Sequence, residues 1–324
     1  MSQGANFATT GVVAGYRGIA DIDGELIRFA DANITVRQEI QADDLVMGDW
    51  DRNAYVYGKM EIGGTISGPV TESFLSGANS VIQWACGRFD TPSGGSTTPC
   101  GGMDVRDIHL YYYCDRDRLF ENLFVNFFSF SVAAGEVAQF SLDVIGSAVD
   151  GVTQGWGTTS PPHVTTAEKL LTWDKVTVSI TKNGGSDTED NDIPDQSVLD
   201  NIAYSNFEFT VSNNVETVYG LGQPNLLPFD IVPGLRHISG TISVYGTPDF
   251  NGAFTFEDYC AEDPHLIQFG LSSLCAGGSV TPVELFVRFH RIEPTLSTST
   301  IISTVGFTGV THQSGYPWDL SATP

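Results

Sequence analysis

The side chains that most often carry out chemistry in enzymes occur in this chain, but their spacing forms no recognisable catalytic set. Zinc-binding helices carry histidines in an H-E-x-x-H pattern, and none of the six histidines fits it: His109, His163, His237, His265, His290 and His312. Gly64-Thr-Ile-Ser-Gly68 departs from the Gly-x-Ser-x-Gly nucleophile elbow. Gly220-Leu-Gly222 lacks the third glycine of a dinucleotide-binding turn. We therefore predict no catalytic residues, no cofactor and no enzymatic activity.

Two further sets of residues are candidates for metal binding or cross-linking. The stretch from Gly184 to Asp192 alternates oxygen-bearing side chains, as calcium loops do, but lacks the glycine and the final glutamate that such loops require. We predict a solvated loop there and no metal site. The five cysteines form no C-x-x-C pair: Cys86, Cys100, Cys114, Cys260 and Cys275. They fit either separate thiols or loop-closing disulfides, Cys86 with Cys100 or Cys260 with Cys275, and both interpretations stay open.

The chain is strongly acidic. Its 324 residues include 15 Lys and Arg against 39 Asp and Glu, which gives a formal net charge of −24. Proteins bind nucleic acids through basic surfaces that neutralise phosphates, so we exclude ordinary DNA or RNA binding. The first residues lack a basic segment followed by an apolar one, which predicts no secretory signal and synthesis in the cytoplasm. No apolar run approaches the ~20 residues that a membrane-spanning helix needs.

Alternation of apolar and polar residues predicts a mainly β protein. In Ala32–Ile40, Ile34 and Val36 alternate with polar residues, which is the period of a half-buried strand. The clearest signal is a hairpin in which Leu123–Val132 and Val137–Ile145 flank a short turn. We expect its apolar face to carry six side chains: Phe128, Phe130, Val132, Phe140, Leu142 and Val144.

Three short segments of the first half recur, in the same order, in the second half. The pairs are Gly58–Ser67 with Gly234–Ser243, Phe29–Val36 with Tyr204–Val211, and Val81–Trp84 with Leu266–Phe269. The first pair shares the sequence Gly-Thr-Ile-Ser at its end. A period as long as a domain excludes a solenoid and predicts two similar domains that arose by internal duplication.

Composition places the boundary between these domains. Residues 151–162 are rich in Gly, Pro, Ser and Thr, which is typical of a linker. We therefore predict a first domain at 1–155, a linker at 156–165 and a second domain at 166–324. Each is expected to be a β-sandwich or β-barrel with one short helix, around Val70–Cys86 in the first and Phe256–Leu274 in the second.

The connection between the paired strands of the second repeat is long and apolar. Hairpin loops usually have about 2–5 residues, whereas this connection runs from Ser212 to Gly234. An apolar loop of this length does not remain solvated, so it either folds back on its own domain or docks on another subunit. The candidate inter-subunit residues are Val218, Tyr219, Leu221, Leu226, Leu227 and Phe229. The matching loop of the first repeat, Gln41–Asn53, is shorter and more acidic.

These features together resemble the tail tube proteins of tailed bacteriophages. In that family a strand, a long loop, a second strand of the G-x-x-x-x-G-x-I/V type, one helix and a final hairpin build a small sheet domain. The segment Glu121–Gly146 resembles the family hairpin most, and Val283–Val310 of the second repeat matches it less well. The resemblance implies two tandem tail-tube-like domains and a structural role in the tail of a virion, after synthesis in the host cytoplasm.

The resemblance also implies an assembly. Family tubes are stacked rings of six domains, so two domains per chain imply homotrimeric, pseudo-hexameric rings. The implied partners are other copies of the chain, a tail sheath, a tape measure protein and a tail terminator, while double-stranded DNA passes through without specific binding. An acidic lumen repels phosphates, and its candidate residues are Glu39, Glu61, Asp143 and Glu208. The alternative from another class is a two-domain β-sandwich that binds carbohydrate or coats the virion surface.

Overall fold

The fold is that of a computed structural model. It describes residues 18–22, 24–42, 55–71, 74, 81–86, 105–113, 116–149, 170–181, 204–221, 226–245, 265–271, 283–296, 301–309 and 318–319. Strands dominate this part of the chain, as the alternating sequence pattern predicted. The mainly β fold class is therefore confirmed.

Each half of the chain contributes a series of strands. The first half contains β1 (Gly18–Ile22), β2 (Glu25–Phe29), β3 (Asp31–Ala42), β4 (Tyr55–Pro69), helix α1 (Val81–Cys86), β5 (Arg106–Tyr113), β6 (Arg116–Ala133) and β7 (Gln139–Val149). The second half contains a 3-10 helix (Trp173–Lys175), β8 (Val176–Thr181), β9 (Tyr204–Ser212), β10 (Glu216–Val218), β11 (Asp230–Val232), β12 (His237–Tyr245), β13 (His265–Leu271), β14 (Val283–Leu296), β15 (Ile301–Gly309) and β16 (Trp318–Asp319).

The strands of the two halves follow the same spatial order. In the first half the order is β1-β5-β6-β7-β4-β3, with β2 paired to the outer edge of β1. In the second half it is β8-β13-β14-β15-β12-β9. Strands β6 and β9 pair with each other and join the halves into one sheet of 14 strands. The halves therefore lie side by side along a continuous hydrogen-bonded ladder.

Strand register agrees between the halves at the repeated segments. In the first half Val36 lies opposite Ile62, and in the second half Val211 lies opposite Ile238. These are the pairs that the sequence alignment of the two repeats makes equivalent. The agreement supports a duplicated origin, which remains a hypothesis.

A β-bulge also recurs at the equivalent place. In β6 the register against β7 shifts between Val125 and Phe127, so Asn126 is the extra residue. In β14 the register against β15 shifts between Phe289 and Arg291, so His290 is the extra residue. The structural correspondence thus extends to the final hairpin, where the two halves are least alike in sequence.

One apolar core serves both halves. All six side chains predicted on the apolar face of the β6–β7 hairpin are buried, which confirms that prediction. At the β6–β9 junction Phe130 lies opposite Phe209 with ring centroids 5.6 Å apart. Phe269 of β13 packs across the core on both rings, at 5.4 and 5.2 Å. Aromatic burial of this kind supplies a large apolar contribution to stability.

One predicted helix is confirmed and the other is wrong where the structure describes it. Val81–Cys86 forms α1, within the predicted range. His265–Leu271 is not helical but forms β13, which is paired with β8 and β14 on its two edges. Leu266, Ile267 and Phe269 are all buried, and a strand buried on both faces cannot be told from a buried helix by periodicity alone. The match of Val81–Trp84 with Leu266–Phe269 is therefore not structural.

Several sequence predictions lie outside the described residues. These include the linker at 156–165, the acidic stretch 184–192 and most of the loop 41–53. The side chains of all five cysteines also lie outside them. The domain boundary, the absence of a metal in the acidic stretch and the state of the cysteines stay predictions.

The β6–β9 junction generates a stability prediction. Phe209→Ala removes a fully buried ring at the junction, and such truncations lower the free energy of unfolding by about 3–5 kcal/mol. Urea denaturation followed by fluorescence measures this loss. Glu208→Ala, one residue away on the exposed face, is the control, with an expected change within about 0.5 kcal/mol. Equal stabilities of the two variants would contradict the structural role of the junction.

Candidate functional site

The face of the sheet opposite the core is polar across both halves. Cross-strand partners form a single row over eight strands, from β3 to β14 through β4, β7, β6, β9, β12 and β15. Its members are Asp31, Ser67, Ser141, Ser129, Thr210, Ser239, Thr308 and Arg288. Six of these eight side chains are hydroxyls. We call this surface the polar face.

Hydroxyls on the polar face bond to one another across strands. Thr210 and Ser239 place their oxygens 3.0 Å apart, and Ser243 and Thr304 do the same at 3.0 Å. Each hydroxyl both donates and accepts, so the remaining valences are available to water. The polar face is therefore a hydrated and largely uncharged surface along this row.

Three of the four carboxylates predicted to face a lumen lie on the polar face. The register places Glu61 opposite Arg37, Asp143 opposite Thr65, and Glu208 opposite Thr241. Glu208 is exposed. Asp143 is half-buried, and its Oδ2 accepts a hydrogen bond from the Asn126 side chain at 2.9 Å. These side chains are thus brought onto one surface, although they come from three strands of two halves.

The fourth carboxylate belongs to a charged group at one end of the polar face. Glu39 lies where the β3–β4 register shifts, close to Gly58. Lys59 is 2.5 Å from a carboxylate oxygen of Glu61. The hydrogen bond and charge of Glu61 raise the pKa of Lys59, and the charge of Glu39 acts in the same direction. Lys59 thus offsets part of the negative charge that the sequence predicts here.

Strands β10 and β11 form a hairpin that reaches the first half of the chain. Met60 of β4 donates its N–H to the Leu226 carbonyl at 2.8 Å and accepts a bond from the Tyr219 hydroxyl at 3.0 Å. Burial raises the pKa of the Tyr219 hydroxyl. A groove of about 430 Å³ is lined by Thr217 of the hairpin and by Arg37 and Glu61 of the polar face.

The six predicted inter-subunit residues divide into two groups. Tyr219 and Leu226 bond to Met60, and Leu227 packs against the core. Val218, Leu221 and Phe229 point away from the chain, with 43%, 107% and 67% of their surfaces exposed. The connection therefore contacts the other half of its own chain on one side and presents apolar side chains on the other.

A buried asparagine that sequence inspection missed ties these elements together. Asn213, which is 1% exposed, donates through Nδ2 to the Ala85 carbonyl at 3.1 Å and the Val125 carbonyl at 2.8 Å. Its Oδ1 accepts a bond from Arg236 at 2.7 Å. One side chain thus links α1, the bulge of β6 and the residue that precedes β12. No local sequence signal marks it, because its partners are distant in the chain.

A second group missed by sequence inspection lies between β5 and β6. His109 Nε2 contacts the buried Asp117 carboxylate, and its Nδ1 lies 2.9 Å from the Tyr111 hydroxyl. Burial raises the pKa of Tyr111, and the charges of Asp21 and Asp117 add to that shift. The hairpin register places Tyr111 opposite Asp117. The side-chain contacts of this group therefore add to the backbone pairing of β5 and β6.

Among the described residues, no group of three or more His, Cys, Asp or Glu side chains is arranged to hold a metal ion. No helix in the described ranges has the length and apolar character needed to cross a membrane.

Comparison with known proteins gives one finding. A family model described as phage tail tube protein matches residues 4–273 of the chain. The matched range covers the first half, the β6–β9 junction and the second half as far as β13. No curated protein matches the chain.

The contacts of Asn213 generate a second stability prediction. Asn213→Ala leaves two buried carbonyls and the Arg236 side chain without this partner, and each unmet buried polar group costs about 1–3 kcal/mol. The midpoint of urea unfolding should fall accordingly. Ser212→Ala, which removes only an exposed hydrogen bond, is the matched control. An Asn213→Ala variant as stable as that control would show that the asparagine does not hold the junction.

Proposed function

We propose, from the premise that the chain belongs to the phage tail tube protein family, that three copies close a ring and that stacked rings conduct the viral genome. Membership itself establishes a structural role in the tail tube of a virion. The ring, its symmetry, its acidic lumen, the passage of DNA and the absence of catalysis are parts of the proposal. So are the sheath, the tape measure and the terminator as partners.

The observation that carries the proposal is the side-by-side repetition of one strand arrangement. The two halves share strand order, register and a bulge, and β6–β9 pairing relates them laterally. A chain of this kind supplies two neighbouring positions of a ring. Six positions, as the family resemblance implies, then require three chains. Closed rings of identical subunits are the common outcome when such a lateral relation repeats.

The polar face is the surface best suited to line the channel. Its row of hydroxyls crosses the junction of the halves from Ser129 to Thr210. Glu61, Asp143 and Glu208 add negative charge to the same surface. A hydroxyl-rich wall of this kind offers hydrogen bonds to the water around passing DNA, and the positive charge of Arg37 on it is offset by Glu61 on the opposite strand. Three chains of −24 each give 3 × −24 = −72 per ring, which repels DNA at long range.

The β10–β11 hairpin is suited to contact the next ring. Val218, Leu221 and Phe229 form an exposed apolar set on a hairpin that is itself anchored at Met60. Exposed apolar groups on an anchored element are typical of association surfaces. We assign them to stacking, and we assign Tyr219, Leu226 and Leu227 to holding the hairpin in place.

The assembly of the purified protein is tested by electron microscopy and native mass spectrometry. We expect rings or tubes in negative-stain electron microscopy, and native mass spectrometry of single rings should give three times the mass of the 34.9 kDa chain. The full-length protein is used. A monodisperse monomer at high concentration, or rings built of six chains, would contradict the proposed trimer.

The channel surface is tested by charge reversal. Glu208→Lys places a cation on the exposed polar face, three per ring, and should slow genome release from particles carrying the variant tube, most strongly at low salt. Release is followed by fluorescence of a DNA-binding dye. Glu136→Lys makes the same charge change in the exposed β6–β7 turn and should release DNA at the wild-type rate. Equal slowing by both variants would argue against the polar face as the channel wall.

A further inference from the structure

The bulge position of the final hairpin carries different chemistry in the two halves. In the first half the bulge residue Asn126 donates a hydrogen bond to the Asp143 carboxylate at 2.9 Å. In the second half the bulge residue is His290, and its Nδ1 lies 3.3 Å from the Thr308 hydroxyl oxygen. Equivalent positions of one fold thus present a carboxylate in one half and an imidazole in the other.

The residue two places before the bulge differs in the same sense. In β6 it is Phe124, which lies opposite Ile145 of β7. In β14 it is Arg288, which lies opposite Thr308 of β15. An apolar pair in the first half is therefore matched by a cation and a hydroxyl in the second.

Three side chains of the second half meet at this place on the polar face. Arg288 and His290 are exposed, and Phe289 between them is buried, so the arginine and the histidine point away from the core. Thr308 lies opposite Arg288 in the strand register and within hydrogen-bonding distance of His290. We call Arg288, His290 and Thr308 the basic site.

We infer that the basic site binds a phosphate group, which under the proposed function belongs to the backbone of DNA in the channel. The guanidinium of Arg288 presents several N–H donors in a planar fork that matches phosphate oxygens. A protonated His290 donates one ring N–H to Thr308 and the other outward, and the Thr308 hydroxyl then donates outward as well. A neutral imidazole with its proton on Nε2 instead accepts the Thr308 hydroxyl at Nδ1. Protonation therefore supplies both a charge and an extra donor.

The surroundings of the basic site favour an anion, although the chain as a whole is acidic. On β15, the described strand beside this part of β14, the nearest partners are Thr308 and Gly306, which do not titrate. The polar-face carboxylate Glu208 lies three strands from β14, or about 14 Å. In sequence, Arg288-Phe-His-Arg-Ile-Glu293 holds two arginines and a histidine against one glutamate.

The DNA contact rests on the proposed function, whereas the phosphate site does not. In a ring of three chains, three basic sites would alternate with three Asn126–Asp143 pairs. The net charge of −24 per chain repels DNA at long range, while a phosphate contact acts only at hydrogen-bond distance. Each ring would then touch the DNA backbone at a few places within a repulsive wall.

Chemical footprinting of the purified full-length protein tests the basic site without DNA. Diethyl pyrocarbonate modifies accessible histidines, and mass spectrometry of peptides measures the reaction at each of them. Inorganic phosphate, compared with sodium chloride at equal ionic strength, should slow the reaction of His290 several-fold. His237, which is exposed on the same face opposite Ser212, should react at an unchanged rate. Protection should be stronger at about pH 6 than at about pH 8, because histidine loses its charge in this interval.

Two arginine variants separate the basic site from the general effect of phosphate. Arg288→Ser should abolish the protection of His290. Arg37→Ser removes an exposed arginine of the polar face that lies opposite Glu61, and it should leave the protection intact. Equal reaction of His290 in phosphate and in chloride, or persistent protection in Arg288→Ser, would overturn the inference and leave the proposed function standing.

Genome release identifies the source of the phosphate. His290→Asn gives β14 the residue that β6 has at its bulge. Particles carrying this variant should release DNA faster than wild type at about pH 6 and at the wild-type rate at about pH 8. Unchanged release at both pH values, with phosphate protection present in the wild type, would assign the site to free phosphate and overturn the DNA contact. Protection without rings in microscopy would overturn the proposed function and support the phosphate site alone.

Discussion

The pairing of β6 with β9 is the constraint on which the remaining structure depends. Seven residue pairs join the halves, from Phe127 opposite Ser212 to Ala133 opposite Asn206. Core-facing phenylalanines from both strands meet under this ladder and are covered by Phe269. Because side chains alternate along a strand, the same register that buries these rings also aligns the hydroxyls on the opposite face. The common core and the continuous polar face are thus two results of one register.

The bulge at Asn126 lets strand β6 bury apolar side chains in the core both before the bulge and along its pairing with β9. Before it, Leu123 and Val125 are buried; after it, Phe128 and Phe130 are buried, so the alternation changes phase by one residue. The backbone carbonyl freed at the bulge accepts the N–H of Asn213 at 2.8 Å, and the Asn126 side chain accepts the N–H of Val215 at 3.1 Å. Bulges bend and re-aim strands in this way. The same register shift recurs at the equivalent place in β14.

The strands and the apolar face of the hairpin were predictable because burial imposes a local period of two on the sequence. The same logic failed at Leu266–Phe269, since a strand covered on both faces shows a continuous apolar run with no period. The joining of the two halves in one sheet was not predictable, because nothing in the sequence of β6 or of β9 indicates which strand edge pairs with the other. Asn213 escaped notice for the same reason: its partners Ala85 and Val125 are 128 and 88 residues away. Strand alternation placed the carboxylates on the polar sides of their strands, but only the fold brings Glu61, Asp143 and Glu208 from three strands onto one surface.

The two halves belong to one chain, so the strength of their β6–β9 contact does not depend on protein concentration in the way that contacts between chains do. In a ring of three such chains, half of the lateral contacts would form as each chain folds and only the other half would respond to dilution. In such a ring the junction would lower the order of the assembly reaction, and assembly would begin at a lower protein concentration than with six separate subunits.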